Sequence, residues 1–376
     1  VLQVLPALAA GGAERSTLEV AAALVAAGHR SIVLSAGGVL VDRLRAEGSE
    51  HISLPIGAKS LRSLLQLFAI RRLLRSLQPD LIHVRSRLPA WLIRFALIGV
   101  PRDHRPALVS TVHGLNSVSR YSAILTRAER VICVSQTAAD YLREHYPRLP
   151  PERIRVIPRG VDPRSFAVDP DGITAWKSAF LDEYPELAGT CLLTLPGRGS
   201  RLKGHEYALR LLAELRRRGL DARLLLLGAR QTGRNQYLAE LESLADGLGL
   251  RGYWLALPQR ADVAQVIASS DLILQLSNRS ESFGRTVAEA LHLGRPVLGW
   301  DLGGVGEQLR AAFPAGRVAP FDSTALADRA AELLRQPGTH PIDRSHIATV
   351  AELQRQTLAV YAEVLPAQGT KAGHAA

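Results

Sequence analysis

Short apolar runs rich in Leu, Val and Ile alternate with amphipathic stretches along almost the whole chain, and the alternation halts once and then restarts. In the first series, strand patterns fall at 1–5, 31–35, 81–83, 107–112 and 130–134, with helical patterns at 13–27, 41–47, 61–77 and 136–146. Such alternation predicts βαβ units and hence a parallel, doubly wound sheet. Prolines then cluster at 146–151 and 157–163, which marks the approach to a domain boundary. The second series has strand patterns at 190–195, 222–227, 253–257, 271–276, 296–299 and 316–318, and helical patterns at 206–218, 236–248 and 325–334. The expected architecture is α/β, with two doubly wound Rossmann-like domains, 1–164 and 165–345, facing across a cleft. A last helix is expected at 346–364 and a disordered tail at 367–376. Ligands of such sheets bind beyond the carboxyl ends of the strands.

The length of 376 residues and the 47% hydrophobic content suit two domains with cores of their own. The two cysteines, Cys133 and Cys191, lie in apolar runs with neither disulfide nor metal spacing, as expected of a reducing compartment. No secretory signal pattern opens the chain, and no apolar run reaches the ~20 residues of a spanning helix; the nearest, 88–100, is broken by Arg94. The expected location is cytoplasmic. The formal net charge of +11, carried almost wholly by arginine, calls for acidic partners. The chain has no zinc finger, RNA-binding strand motif or basic tail, which sets nucleic acid aside. A phosphorylated substrate and an anionic membrane stay open. The stretch 61–77 carries Arg62, Arg71, Arg72 and Arg75 among leucines, with Phe68. It reads either as a helix docking on the cytoplasmic face of a membrane or as an ordinary surface helix of a βαβ unit.

Four segments carry candidate chemistry. Glu281 follows a strong strand and Glu289 lies about two turns into the next helix, with the helix start (Phe283, Gly284, Arg285, Thr286) between them. Eight residues at about 1.5 Å rise span roughly 12 Å, a length that suits a nucleotide-sugar: two carboxylates for sugar and ribose hydroxyls, and free backbone amides for a diphosphate. Gly11 and Gly12 open the first helix without dinucleotide-fingerprint spacing, which disfavours NAD. The segment 197–204 places Arg198 and Lys203 among glycines, an anion-accepting loop without Walker spacing. His113 ends a strand of the first domain, where it can bond a substrate hydroxyl or phosphate. Each also has a plain reading, as a tight turn, a solvated basic loop or a satisfied histidine. Asp169-Pro-Asp171 spells a metal-binding triplet but follows no strand, and reads as a turn.

Taken in order, Gly11–Arg15, Pro79–His83, Val112–Gly114, Val156–Asp162, the Arg198–Lys203 loop, the paired glutamates and Gly303–Glu307 resemble the retaining family 4 glycosyltransferases of GT-B fold, and within them the bacterial enzymes of lipopolysaccharide-core assembly. The resemblance covers nearly the whole chain. It implies transfer of a sugar from a nucleotide-diphosphate donor, UDP by family frequency, to a glycan or lipid-linked acceptor, with no metal or other cofactor. It makes Arg198 and Lys203 the neutralisers of the departing diphosphate, and gives Glu281 and His113 the donor sugar. Phe283 and Gly284 would present amides, Glu289 would hold the ribose, and Gly11 and Gly12 would leave room for diphosphate and acceptor. The last helix would pack back on the first domain. The chain departs from the family pattern at Arg159, where Asn is common, and at Arg285, where an aliphatic residue is; Arg285 would add to phosphate affinity or read an acidic acceptor. A nucleotide-sugar epimerase or hydrolase, and a non-catalytic nucleotide-sugar binder, are the alternatives.

Overall fold

The computed structural model describes residues 1–9, 11–57, 61–169, 171–231 and 235–365, and the side chains of 61–65 and 235 fall outside that description. The 367–376 tail, Pro170 and the Arg62 side chain therefore lie outside the described residues. The chain forms two compact units: Val1–Arg159 together with the segment from Val350, and Gly160–Thr349. The crossings fall at 159–160 and 349–350, where the sequence suggested 164–165 and 345–346. The reason is local pairing: Val161 bridges Thr349 in parallel and donates its N–H to Ala348 O at 2.9 Å, so both flanking strips belong to the second unit.

In the first unit the order is β1 (Leu2–Val4), α1 (Gly12–Ala26), β2 (Ile32–Ser35), α2 (Val41–Ala46), β3 (Glu50–Ser53), α3 (Leu61–Leu77), β4 (Leu81–Val84), α4 (Arg87–Ala96), β5 (Ala107–Val112), β6 (Arg130–Cys133), α5 (Gln136–His145) and β7 (Ile154–Val156). The strands form one parallel sheet, β3-β2-β1-β4-β5-β6-β7. Alternation along β4 sorts the two faces. Ile82 and Val84 meet the cluster that contains Leu92 and Ile93 of α4, whereas Leu81 packs with Val20 and Leu24 of α1.

The second unit runs α6 (Gly172–Glu183), β8 (Cys191–Pro196), α7 (His205–Arg217), β9 (Ala222–Leu227), α8 (Asn235–Gly247), β10 (Trp254–Leu257), α9 (Val263–Ser269), β11 (Leu272–Gln275), α10 (Arg285–His292), β12 (Val297–Trp300), α11 (Gly303–Ala312), β13 (Arg317–Val318) and α12 (Ser323–Arg335). Its parallel sheet is ordered β10-β9-β8-β11-β12-β13. The chain then returns to the first unit as α13 (Val350–Val364), which begins four residues later than its apolar pattern suggested because Arg344–His346 forms a separate 3-10 turn. Leu353, Val360 and Tyr361 of α13 join the core beneath α1. Tyr361 Oη lies 2.6 Å from His83 Nδ1, and Thr111 Oγ1 is 2.7 Å from Nε2 on the other side of the ring. His83 is thereby a core residue tying the last helix to the sheet, and burial, then the charge of Arg85, holds it well below the ordinary imidazole range.

Candidate active site

Strand order reverses between β8 and β11 in the second unit, and ligands of open α/β sheets bind at such a switch point. The loop after β8 supplies Lys203 and the loop after β11 supplies Glu281. Lys203 Nζ donates to Glu281 Oε1 at 2.7 Å, with about a quarter of each side chain exposed (24% and 26%). Gln275 Nε2 donates to the same oxygen at 2.9 Å, and Ser277 Oγ donates to it as well. All three bonds converge on Oε1, and Oε2 takes none among the described residues. The carboxylate is fixed by one oxygen and keeps the other as an acceptor. Its main chain is held too, since Glu281 O accepts the Gly304 N–H at 2.8 Å.

Gly204 makes this approach possible. Its φ of +71° is left-handed, and a Cβ there would stand 1.8 Å from Leu276 O, so only glycine lets the loop lie against the end of β11. Arg198, in the same loop, is exposed and bonds to no described side chain; it is not drawn onto Glu281 as Lys203 is.

Helix α10 begins at Arg285, with Gly284 as its left-handed N-cap, so Glu289 lies one turn into the helix where two were expected. The free amides of that first turn favour an anion. Gln308 of α11 donates to the carbonyls of Phe283 and Gly284 and sets the angle at which α10 starts. Phe283 is buried, Thr286 half-buried, and Glu289 8% exposed. Arg285 reaches along its own helix, with Nε 4.0 Å from Glu289 Oε1, and Nη2 donates to Gly160 O at 3.4 Å. Both glutamates of the pair thus face a cation. Gln275, Ser277 and Gln308 went unrecognised in the sequence; for Gln275 and Ser277 the one signal was a polar residue in or just after the apolar run of β11, and Gln308, on α11, carried none. Asp169 closes the turn ahead of α6, accepting the N–H groups of Asp171 and Gly172 at 3.1 Å each. Among the described residues, no group of three or more His, Cys, Asp or Glu side chains is placed to hold a metal ion.

In the first unit, Gly11, Gly12, His113 and Arg159 all sit just past strand ends of the sheet. Gly11 is the N-cap of α1, and the Glu14 side chain folds back over it. A Cβ on Gly12 would lie 2.2 Å from Arg159 Nη1, so the missing side chain is the space the guanidinium fills. Arg159, 8% exposed, places Nη2 3.0 Å from His113 Nδ1.

Comparison with known proteins agrees with this geometry. The family model described as Glycosyltransferase Family 4 matches residues 10–165, and the one described as Glycosyl transferases group 1 matches residues 188–351. The chain is 28% identical over 235 residues to D-inositol 3-phosphate glycosyltransferase of Segniliparus rotundus, covering 57% of this chain and 49% of that one. The chain spans about half the length of the curated relatives that it matches. A crystal structure of a glycosyltransferase from Rickettsia africae superposes with a TM-score of 0.84 at 26% identity, covering 97% of this chain and 98% of that one. HepE of Anabaena, solved with UDP and glucose, has the same fold, with a TM-score of 0.81 at 20% identity over 96% of this chain and 99% of that one. With both halves matched in order and the doubly wound architecture repeated in each unit, the chain belongs to glycosyltransferase family 4 and has the GT-B fold.

Proposed function

We propose that this protein transfers a sugar from a nucleotide-diphosphate donor to a hydroxyl of a glycan or lipid-linked acceptor of the cell envelope, such as a lipopolysaccharide core, with retention of anomeric configuration and without a metal. The observation that carries this reading is Glu281, pinned at the switch point through Oε1 with Oε2 left to accept a sugar hydroxyl. Lys203 spends one of its three N–H donors on Glu281 and keeps two for diphosphate oxygens. Arg198 adds a second, exposed cation, the first turn of α10 adds amides, and Glu289 takes the ribose hydroxyls. As the anomeric carbon–oxygen bond breaks, its electron pair goes to the diphosphate, where fixed cations and dipoles lower the barrier. The acceptor oxygen attacks the face the diphosphate leaves, and its proton passes to a phosphate oxygen. His113 of the first unit bonds a substrate hydroxyl or phosphate. UDP is the nucleotide to try first, being the one held by HepE. The relative from Segniliparus rotundus is named for D-inositol 3-phosphate, and a net charge of +11 suits an acidic acceptor.

A membrane-bound acceptor fits one face of the first unit. Phe68 on α3, Phe95 on α4 and Ile98 beyond it are exposed, and Arg71 Nη2 joins the two helices by donating to Phe95 O at 3.1 Å. Arg72, Arg75 and Arg94 are exposed on the same two helices, and Asp80 is the sole acid between His51 and Pro101. Apolar anchors among arginines match an anionic lipid surface. No helix among the described residues is long and apolar enough to cross a membrane.

The test is transfer with a panel of nucleotide-sugars and extracted envelope acceptors in chelator, with the anomer of the product read by NMR. Product of the donor's configuration is expected. A strict Mg²⁺ requirement or an inverted product overturns the corresponding part; free sugar or an epimer formed without acceptor favours a hydrolase or epimerase. Sedimentation with anionic against neutral vesicles tests the lipid face, and equal binding to both, or none, removes it.

A further inference from the structure

We infer that Arg159 fixes His113 as the neutral tautomer with its proton on Nε2, so that His113 serves as a hydrogen-bond donor to substrate and is barred from acting as a base. The inference rests on the proposed function for the substrate His113 meets, but the tautomer itself rests on the contact between Arg159 and His113.

The contact leaves little choice. Arg159 Nη2 lies 3.0 Å from His113 Nδ1. A guanidinium carries five N–H donors, has no acceptor, and keeps its charge throughout the working range. Nδ1 must therefore accept, and the one proton of the neutral ring goes to Nε2. A ring protonated at Nδ1 would set N–H against N–H, and an imidazolium would add the repulsion of two cations. Which ring nitrogen holds the proton follows from the bond the other one makes.

The arrangement is built, not incidental. Arg159 is 8% exposed, and its guanidinium occupies the space above Gly12 that any Cβ would take. It also lines a small, partly open space with Ser16, Arg85, Thr111 and Thr357. Arg85, buried at the end of β4, is a second cation on that wall. His113 and Arg159 come from strand ends in fixed register, with Val112 level with Cys133 and Cys133 level with Val156. An asparagine, common at this position in the resembling family, can turn either its oxygen or its nitrogen to the ring and leaves both tautomers open.

The consequence is a division of labour. An Nε2–H can donate to a hydroxyl or phosphate oxygen, but a nitrogen that already holds its proton cannot collect the acceptor's. Arg159 is a positioning residue in this scheme, acting through His113.

Long-range ¹H–¹⁵N spectra of ¹⁵N-histidine-labelled protein at pH 7.5 test it, with His113 assigned by loss of its signals in His113→Gln. Wild type and Arg159→Lys should both show a protonated Nε2 and a bare Nδ1. Arg159→Glu, whose carboxylate accepts from Nδ1, should invert the pattern and cut transfer about tenfold, the worth of one neutral hydrogen bond. In a His113→Gln background, where the amide rotates to donate regardless, the same Arg159→Glu change should cost little. A wild-type ring protonated at Nδ1, or charged, overturns the proposal, and so does an undiminished Arg159→Glu cost in the His113→Gln background. If the spectra hold while no transfer is found with any donor, the functional reading falls and the tautomer stands.

Discussion

Replacing Lys203 with Met tests the site at its centre. The methionine stem can still run past Gly197, where the Lys203 Cγ lies 3.1 Å from the place a Cβ would occupy, so packing survives while the ammonium is lost. Two unit charges 2.7 Å apart attract by about 6 kcal/mol at an effective dielectric constant of about 20. Partial exposure of both side chains and the cost of holding them reduce this to a net stabilisation of about 1–3 kcal/mol. In a unit of this size that corresponds to a Tm loss of about 2–12 °C, so the variant stays folded at 25 °C. Transfer should suffer far more, by about 10²- to 10³-fold in kcat/KM, the usual result of removing one preorganised charge-stabilising group. Glu281→Gln should cost a comparable factor, because Oε2 gives way to a donor. The double variant should recover part of the summed stability loss, with a coupling of about 0.5–3 kcal/mol. Urea unfolding and initial-rate kinetics on the four proteins complete the cycle. Transfer within tenfold of wild type in Lys203→Met, or a coupling indistinguishable from zero, would refute the reasoning.

Three further outcomes are expected. His205 is buried beside this loop, and burial, then the charge of Lys203, brings its imidazole down from 6.5 to about 4. The unfolded chain takes that proton near 6.5 and the folded one only near 4, so stability is whole above pH 6.5 and falls toward pH 4 by up to about 3 kcal/mol; urea curves of wild type and His205→Leu should converge over that window, and parallel curves would contradict the assignment. Tyr361→Phe removes the partner of His83 Nδ1 at 2.6 Å and should cost about 1–3 kcal/mol, whereas an unchanged melting temperature would mean α13 is held by its apolar contacts, the Gln354–Glu19 bond and the ion pairs of Glu363 without help from this bond. Gly204→Ala forces a left-handed residue and a clash with Leu276 O; the backbone term alone is about 1–2 kcal/mol, and transfer should fall with stability.

The doubly wound architecture was legible because parallel strands buried on both faces read as continuous apolar runs, as in Leu224–Leu227 of β9. What escaped was set by tertiary contacts. The glycines of Gly303–Glu307 hid α11, since glycine is a poor helix former; they are there because a Cβ on Gly304 would lie 2.6 Å from Phe283 Cα, and close packing outweighs propensity. Pro89 disguised α4, yet it falls in the first turn, where its missing N–H costs nothing. The strands β3 and β7 are short edge strands with exposed or half-exposed positions, so they lack the apolar run. In the site, the paired glutamates and the cationic loop were visible as local patterns. That Lys203 would meet Glu281, 78 residues on, depends on β8 lying beside β11, and no local pattern carries strand order. The role of Arg159 was equally hidden, because its partners Gly12 and His113 come from two other strand ends.

Calorimetric titration of nucleoside diphosphates into wild type and Glu289→Ala, without metal, tests the central claim most directly. One diphosphate should bind the wild type one-to-one, its nucleotide-sugar more tightly still, and the same pair should bind Glu289→Ala at least about tenfold more weakly, as loss of a charged hydrogen bond requires. Binding that Glu289→Ala leaves unchanged, or no binding of any nucleoside diphosphate to the wild type, would contradict a donor site at the β8–β11 switch point.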